Sequence, residues 1–141
     1  MVDITISIPE ELESIYKVYR RCGQYFGWVR KNEMLDSMSK GYMYTIYIDD
    51  EIHGFCRFNH QRAGGVVIYE ICLDEECRGK GIGRKIINKL PKPIKAKCPT
   101  NFESNNFYQH LGFILQGQEY TKKGTPLNIW YLRNKGQKKL F

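Results

Sequence analysis

Apolar residues recur along this chain with two different periods, and the two periods predict most of its secondary structure. Seven segments alternate apolar and polar residues, or form short apolar runs between turn residues, as β-strands do. The predicted strands are Val2–Ile8, Tyr42–Ile48, Ile52–Phe58, Val66–Leu73, Ile94–Cys98, Ile114–Tyr120 and Leu127–Arg133.

Four other segments carry apolar residues three or four positions apart, which is the period of an amphipathic helix. The first begins at Pro9 and ends at Gly23, two residue types that are typical of a helix start and a helix stop. The others lie at about 30–40, 82–90 and 105–111. The order β-α-α-β-β-β-α-β-α-β-β predicts an α/β protein of the α+β type. We expect a mixed, mostly antiparallel sheet of six to seven strands, flanked by about four helices.

Length and composition set the scale of the molecule. The chain has 141 residues, of which 42% are hydrophobic and 13% aromatic, so it can build a core and is not of the disordered class. With no repeat or low-complexity linker, a single domain over residues 1–141 is expected. No apolar run approaches the roughly 20 residues of a membrane span, and the first residues do not resemble a signal peptide. A cytoplasmic location follows as the expectation, with no membrane partner.

A glycine-rich turn joins the predicted strand Val66–Leu73 to the helix that follows it. The turn reads Arg78-Gly79-Lys80-Gly81-Ile82-Gly83, and apolar residues continue from it at helical spacing. Glycines allow positive φ and a close approach of the backbone to a ligand. The first helical turn offers N–H donors and the positive end of the helix dipole. The segment therefore predicts an anion site, suited to a phosphate or pyrophosphate. An ordinary strand-to-helix connection is the alternative.

A second motif follows after a further predicted strand, in the segment 101–113. Asn101, Ser104, Tyr108, Gly112 and Phe113 lie at fixed spacings around a short helix, with Ser104 as its expected N-cap and Gly112 as its stop. With Arg78, Gly81 and Gly83 in the earlier turn, the chain resembles the GCN5-related N-acetyltransferase (GNAT) superfamily. The resemblance covers 66–113 and implies the GNAT fold for the whole chain.

The resemblance implies a cofactor, acetyl-CoA, and the residues that would bind it. Backbone groups of the turn would hold the pyrophosphate, and the end of the fourth strand would pair with the pantetheine arm. Later residues would hold coenzyme A or cap the short helix. The expected cofactor-binding residues are Ile71, Cys72, Leu73, Arg78, Gly79, Lys80, Gly81, Ile82, Gly83, Arg84, Asn101, Ser104 and Tyr108.

Two residues are expected to carry the chemistry of acetyl transfer. The resemblance implies that Tyr108 protonates the departing thiolate, which a phenol of pKa about 10 can do. The alternative role is packing or a hydrogen bond to coenzyme A. Glu70 is the candidate base, because acidic residues near this place in related enzymes contact the amine or relay its proton. A solvent-facing or ion-paired glutamate is the rival interpretation.

The acceptor-binding residues are expected in an aromatic segment and on the fourth strand. In the family, the loop between the first two helices and the last hairpin usually bind the acceptor. Here that loop contains Tyr25, Phe26 and Trp28, which form either an acceptor wall or core packing. Tyr69 is a further candidate.

The charge distribution leaves the acceptor open. The formal net charge is +7, and residues 78–97 contain eight basic side chains and no acidic one. Such a run forms a solvated face, attracts the polyanionic coenzyme A, or binds nucleic acid. The leading interpretation is an acetyltransferase that moves acetyl directly to the amine of a small molecule or protein. The alternatives are a GNAT-fold enzyme that modifies a nucleic-acid base, as some phage proteins do, and a non-catalytic module that binds coenzyme A.

Cysteines and histidines predict neither disulfides nor a metal site. The five cysteines include no Cys-x-x-Cys pair, and reduced buried thiols are expected. The three histidines, His53, His60 and His110, have no ligand spacing and are expected at the surface. The family often forms homodimers, but no segment of this sequence predicts an interface.

Overall fold

The computed structural model describes residues 1–22 and 29–134. Within them, seven strands form one mixed sheet and four α-helices are present. The chain divides into two compact units. The first contains Met1–Asn59 and Ile68–Lys89, and the second contains His60–Val67 and the chain from Leu90 onward. A single domain over the whole chain stays a prediction.

Four strands give the first unit its sheet, in the order β1-β2-β3-β4. They are β1 (Val2–Ile6), β2 (Met43–Ile48), β3 (Glu51–His60) and β4 (Val66–Leu73). The pairs β1–β2 and β2–β3 are antiparallel. A two-residue turn at Asp49 and Asp50, both with positive φ, connects β2 to β3. Positive φ at both central residues suits a hairpin, because its twist matches that of the strands.

Three helices belong to the first unit: α1 (Leu12–Cys22), α2 (Lys31–Ser39) and α3 (Ile82–Lys89). A short 3₁₀ turn, Pro9–Glu11, precedes α1. The apolar faces of α1 and α2 pack with β2, β3 and β4 into one core cluster. Its buried members are Ile15, Val18, Tyr19, Val29, Met34, Met38, Met43, Phe55 and Cys72. Each fully buried aliphatic or aromatic side chain here contributes about 1.5–3 kcal/mol.

The second unit contains a helix and three strands: β5 (Ile94–Pro99), α4 (Ser104–His110), β6 (Ile114–Tyr120) and β7 (Pro126–Leu132). Strand β7 lies between β5 and β6 and pairs with both in antiparallel register. The buried residues of this unit include Val66, Leu90, Ile94, Ala96, Cys98, Tyr108, Phe113 and Trp130.

The predicted fold class is confirmed, and most strand and helix bounds agree with the sequence pattern to within two residues. Strands β4 and β6 have the predicted bounds. Strand β1 stops at Ile6 rather than Ile8, because Ile8 is the N-cap residue of the 3₁₀ turn. The prediction that Ser104 is an N-cap was wrong. Helix α4 begins at Ser104, and Glu103 precedes it without a side-chain cap.

The turn from β3 into β4 depends on two glycines that differ in their surroundings. Gly64 and Gly65 both have positive φ, at 98° and 77°. A Cβ at Gly64 would meet nothing within 4 Å, whereas one at Gly65 would lie 2.0 Å from the carbonyl oxygen of Pro93. That carbonyl accepts the N–H of Val66 at 3.0 Å, so the contact fixes the start of β4.

We therefore expect Gly65→Ala to lower the free energy of unfolding by more than Gly64→Ala does. Left-handed backbone alone costs an L-residue about 1–2 kcal/mol, and this strain applies to both variants. The clash at Gly65 adds to it, for a total of at least about 3 kcal/mol. Urea unfolding of both variants and the wild type measures the difference. Equal losses would show that the contact with Pro93 is unimportant.

Candidate active site

The glycine-rich turn has a backbone that requires glycine and surroundings that leave it open. Gly79 and Gly81 have φ of 73° and 67°, in the left-handed region. A Cβ at either residue would meet nothing within 4 Å. Backbone conformation, and not packing, therefore requires glycine here. The open space beside the turn is what a bound phosphate group needs.

Helix α3 begins directly after this turn and presents its N-terminus there. Its first hydrogen bond runs from the Lys85 N–H to the Gly81 carbonyl at 3.1 Å. The N–H groups of Ile82, Gly83 and Arg84 therefore come before the first bond of the helix. No acidic residue lies in the first turn of α3, and Arg84 is exposed there. Donors, dipole and positive charge together fit the pyrophosphate of acetyl-CoA.

An acidic residue that the sequence analysis did not select fixes the chain before the turn. Asp74 caps the 3₁₀ turn Glu75–Cys77: its Oδ1 accepts the Glu76 N–H at 3.0 Å. Its Oδ2 accepts from His53 Nδ1 at 2.8 Å and from Arg21 Nη2 at 3.1 Å. An aspartate directly before a short helical turn is an N-cap signature and could have identified it.

The surface position expected for His53 was wrong. Its side chain is only 16% exposed, because the bond to Asp74 holds it against the chain that precedes the turn. His60 and His110 are exposed, as predicted.

The end of β4 is tightly packed against β3. Ile71 and Cys72 are buried, and Leu73 is partly exposed. A Cβ at Gly54 of β3 would lie 2.7 Å from the Cys72 carbonyl oxygen and 2.8 Å from Leu73 Cδ2. Gly54 therefore allows β3 to approach the stretch 71–73, which the resemblance assigns to the pantetheine arm. No pattern in the sequence predicts this role, since a lone glycine in a strand has many causes.

Buried thiols around the site are protonated at neutral pH. All five cysteines are free thiols. Burial raises the pKa of Cys72 far above its usual range and that of Cys77 to about 11. Burial also raises the pKa of Cys98 to about 11, although a hydrogen bond with Ser104 acts in the opposite direction. Since the thiolate is the nucleophile, none of these three cysteines is suited to carry an acetyl group.

Glu70 lies in a bidentate ion pair with Arg57. Its Oε1 accepts from Arg57 Nε at 2.6 Å, and its Oε2 accepts from Nη2 at 3.0 Å. The side chain of Glu70 is 8% exposed, so it does not face solvent. Burial lowers the pKa of Arg57, but the hydrogen bond and charge of Glu70 outweigh burial and the net shift is upward. The Arg57 guanidinium is therefore charged at neutral pH.

Helix α2 contributes two further partners to this ion pair. Arg57 Nη1 donates to Ser37 Oγ at 3.3 Å, and Nη2 lies 4.0 Å from a Glu33 carboxylate oxygen. On the other side, the Arg57 guanidinium lies 4.9 Å from the ring centroid of Tyr69. The pair thus connects α2, β3 and β4, and it brings together two predicted site residues, Glu70 and Tyr69.

In the second unit, Asn105 joins the end of β5 to α4 and β7. Its Nδ2 donates to the carbonyls of Pro99 and Phe102 at 2.9 and 2.8 Å. Its Oδ1 accepts from Asn128 Nδ2 at 3.0 Å and from Trp130 Nε1 at 2.8 Å. No sequence pattern indicated this role, because Asn128 and Trp130 lie 23 and 25 positions away along the chain.

Tyr108 lies on α4 and is 6% exposed. Its ring makes edge contacts with Phe107 and Phe113, at centroid distances of 5.3 and 5.2 Å. Ser104 lies beside the Cys98 thiol, and Asn101 is exposed. The three acceptor candidates Tyr25, Phe26 and Trp28 lie outside the described residues.

Comparisons with known proteins bear on the fold and the family. A family model described as an acetyltransferase (GNAT) domain matches residues 39–115. The chain is 28% identical over 137 residues to a 5-NmdU N-acetyltransferase of Pseudomonas phage PaMx11, covering 90% of this chain and 97% of that protein.

Solved structures show the same fold. Ard1 from Thermoplasma volcanium has a TM-score of 0.79 at 15% identity, over 94% of this chain and 97% of that one. A GNAT-family acetyltransferase from Bacillus cereus has a TM-score of 0.76 at 20% identity, over 96% and 99%. Among the described helices, none combines the length and apolarity that crossing a bilayer requires.

We expect Gly81→Glu to abolish binding of acetyl-CoA. The variant puts a bulky anion into the open space where the turn and the α3 N-terminus favour a phosphate. Isothermal titration with acetyl-CoA measures the loss. Gly124→Glu is the matched control, because Gly124 also has positive φ, at 87°, and open surroundings. Wild-type affinity in Gly81→Glu would exclude the turn as the pyrophosphate site.

Proposed function

The chain belongs to the GNAT acetyltransferase family and is an acetyl-CoA-dependent N-acetyltransferase, and on that premise we propose that its acceptor is an amine on a nucleotide base. The single observation that carries this proposal is the similarity to the phage 5-NmdU N-acetyltransferase. That similarity extends over nearly the full length of both chains, so it is not confined to the cofactor motifs.

The acceptor fits the chemistry of the family. A deoxyuridine derivative that can be N-acetylated must carry an amine, which is the group that GNAT enzymes modify. The proposal therefore unites the two interpretations that the sequence left open, amine acetylation and base modification.

Exposed basic residues support a polyanionic partner. Helix α3 and the turn before it expose Arg78, Lys80, Arg84, Lys85 and Lys89. Charges of one sign raise the local concentration of an oppositely charged ligand, and nucleic acid is such a ligand. Coenzyme A is also a polyanion and is attracted by the same basic residues. The salt dependence of the affinity therefore has to be measured separately for coenzyme A and for nucleic acid.

We assign the steps of the reaction to residues of this chain as follows. Acetyl-CoA supplies an activated acetyl thioester. The turn Arg78–Gly83 binds and orients it through backbone N–H groups. The acceptor amine attacks directly, since the buried thiols are protonated. Tyr108 donates its phenolic proton to the leaving sulfur.

Glu70 would assist by accepting the amine proton through water. Both of its oxygens already accept hydrogen bonds from Arg57, and each keeps a second lone pair. The same geometry supports a second role for Glu70, in which its carboxylate holds Arg57 in position. The proposal includes a cytoplasmic location. For an acceptor base within DNA, it also includes the nucleic acid as a binding partner.

The acceptor is tested by incubating the protein with acetyl-CoA and one of three amines. These are 5-NmdU as the nucleoside, 5-NmdU within duplex DNA, and a peptide with an unmodified N-terminus. Mass spectrometry detects the added acetyl group. We expect acetylation of 5-NmdU, and for the DNA substrate a kcat/KM that falls as salt rises. Acetylation of the peptide alone would contradict the proposal.

For Tyr108→Phe we expect kcat to fall at least about tenfold while the affinity for acetyl-CoA is largely kept. The substitution removes a proton donor and retains the ring contacts with Phe107 and Phe113. Steady-state kinetics and calorimetry separate the two quantities. Tyr44→Phe is the control, because Tyr44 lies on β2 and is not among the candidate site residues. Unchanged turnover in Tyr108→Phe would remove Tyr108 from the mechanism.

A further inference from the structure

Tyr69 is an exposed aromatic residue on an otherwise buried strand. Its exposed fraction is 44%, whereas Ile68, Glu70, Ile71 and Cys72 are all less than 10% exposed. The ring of Tyr69 can therefore be reached from solvent, whereas these four neighbours on β4 cannot.

The ring of Tyr69 is held in place from two sides. The Arg57 guanidinium lies 4.9 Å from the ring centroid, which is cation–π distance. The hydroxyl accepts a hydrogen bond from Asn59 Nδ2 at 3.1 Å. The contacts fix the plane of the ring and still leave almost half of the residue accessible.

Arg57 is itself immobilised, so the support beneath the ring is rigid. The bidentate bond to Glu70 and the bond to Ser37 use its three nitrogen atoms, and its side chain is only 12% exposed. A ligand that stacks on a fixed ring does not have to order it first. Such a site therefore loses little side-chain entropy on binding.

We propose that Tyr69 is the stacking platform for the planar base that carries the acceptor amine. This inference rests on the proposed function and adds to it the residue that selects a base over an aliphatic amine. Bases stack on aromatic side chains whatever their sequence, because every base has a π-face. An aliphatic amine has no such face and gains nothing from the ring.

The comparison of Tyr69→Phe with Tyr69→Leu tests the platform. Phenylalanine keeps the ring, while leucine keeps an apolar side chain on β4 without a ring. We expect KM for 5-NmdU to rise at least about tenfold in the leucine variant and to stay within about threefold in the phenylalanine variant. With a short aliphatic amine at high concentration, the leucine variant should show no larger KM than the phenylalanine variant, so that the loss is specific to a planar base. The acetyl-CoA-induced rise in Tm should persist in both, which verifies folding.

The outcomes separate this inference from the proposed function. Suppose that the wild type acetylates 5-NmdU. An unchanged KM for 5-NmdU in the leucine variant, or an equal rise in KM for the aliphatic amine, then overturns the platform, while the proposed function stands. If the wild type neither acetylates nor binds 5-NmdU in a titration monitored by NMR, both are overturned. Tyr44→Leu, at a tyrosine on β2 that is not among the candidate site residues, controls for loss of an aromatic residue in general.

Discussion

A charged glutamate on a buried strand is the constraint around which the first unit is arranged. Glu70 is only 7% exposed, and an isolated buried carboxylate would be strongly unfavourable. Arg57 compensates it with two parallel hydrogen bonds, and that geometry fixes the guanidinium plane. The fixed plane in turn contacts Ser37 on α2 and the ring of Tyr69. One ion pair therefore sets the position of a helix, two strands and an aromatic surface.

The parts of the fold that sequence predicts well are those governed by local chemistry. Strand β4 had the right bounds because glycines precede it and Asp74 follows it, both strong local signals. Gly79 and Gly81 were identified because a left-handed backbone has few alternatives to glycine. The short helix α4 was placed one residue off at its start, where the expected cap at Ser104 is absent.

What the sequence did not predict are contacts between residues far apart along the chain. Arg57 and Glu70 are thirteen positions apart, and Asn105 meets Trp130 twenty-five positions away. Neither pair belongs to a periodic pattern, and each depends on strand register that only the folded chain defines. For the same reason Gly54 gave no signal, although its missing side chain is what lets β3 approach the end of β4.

In the proposed cofactor site the glycine-rich turn contributes main-chain atoms, while its side chains determine the surface charge. This separation has an evolutionary consequence. Gly79 and Gly81 are required by their φ angles, whereas Arg78 and Lys80 beside them are exposed side chains. A mutation at Arg78 or Lys80 can alter the surface charge while the backbone that we propose to hold the cofactor keeps its shape. Evolution can therefore change the attraction of this surface for polyanions independently of the backbone shape on which the proposed pyrophosphate site depends.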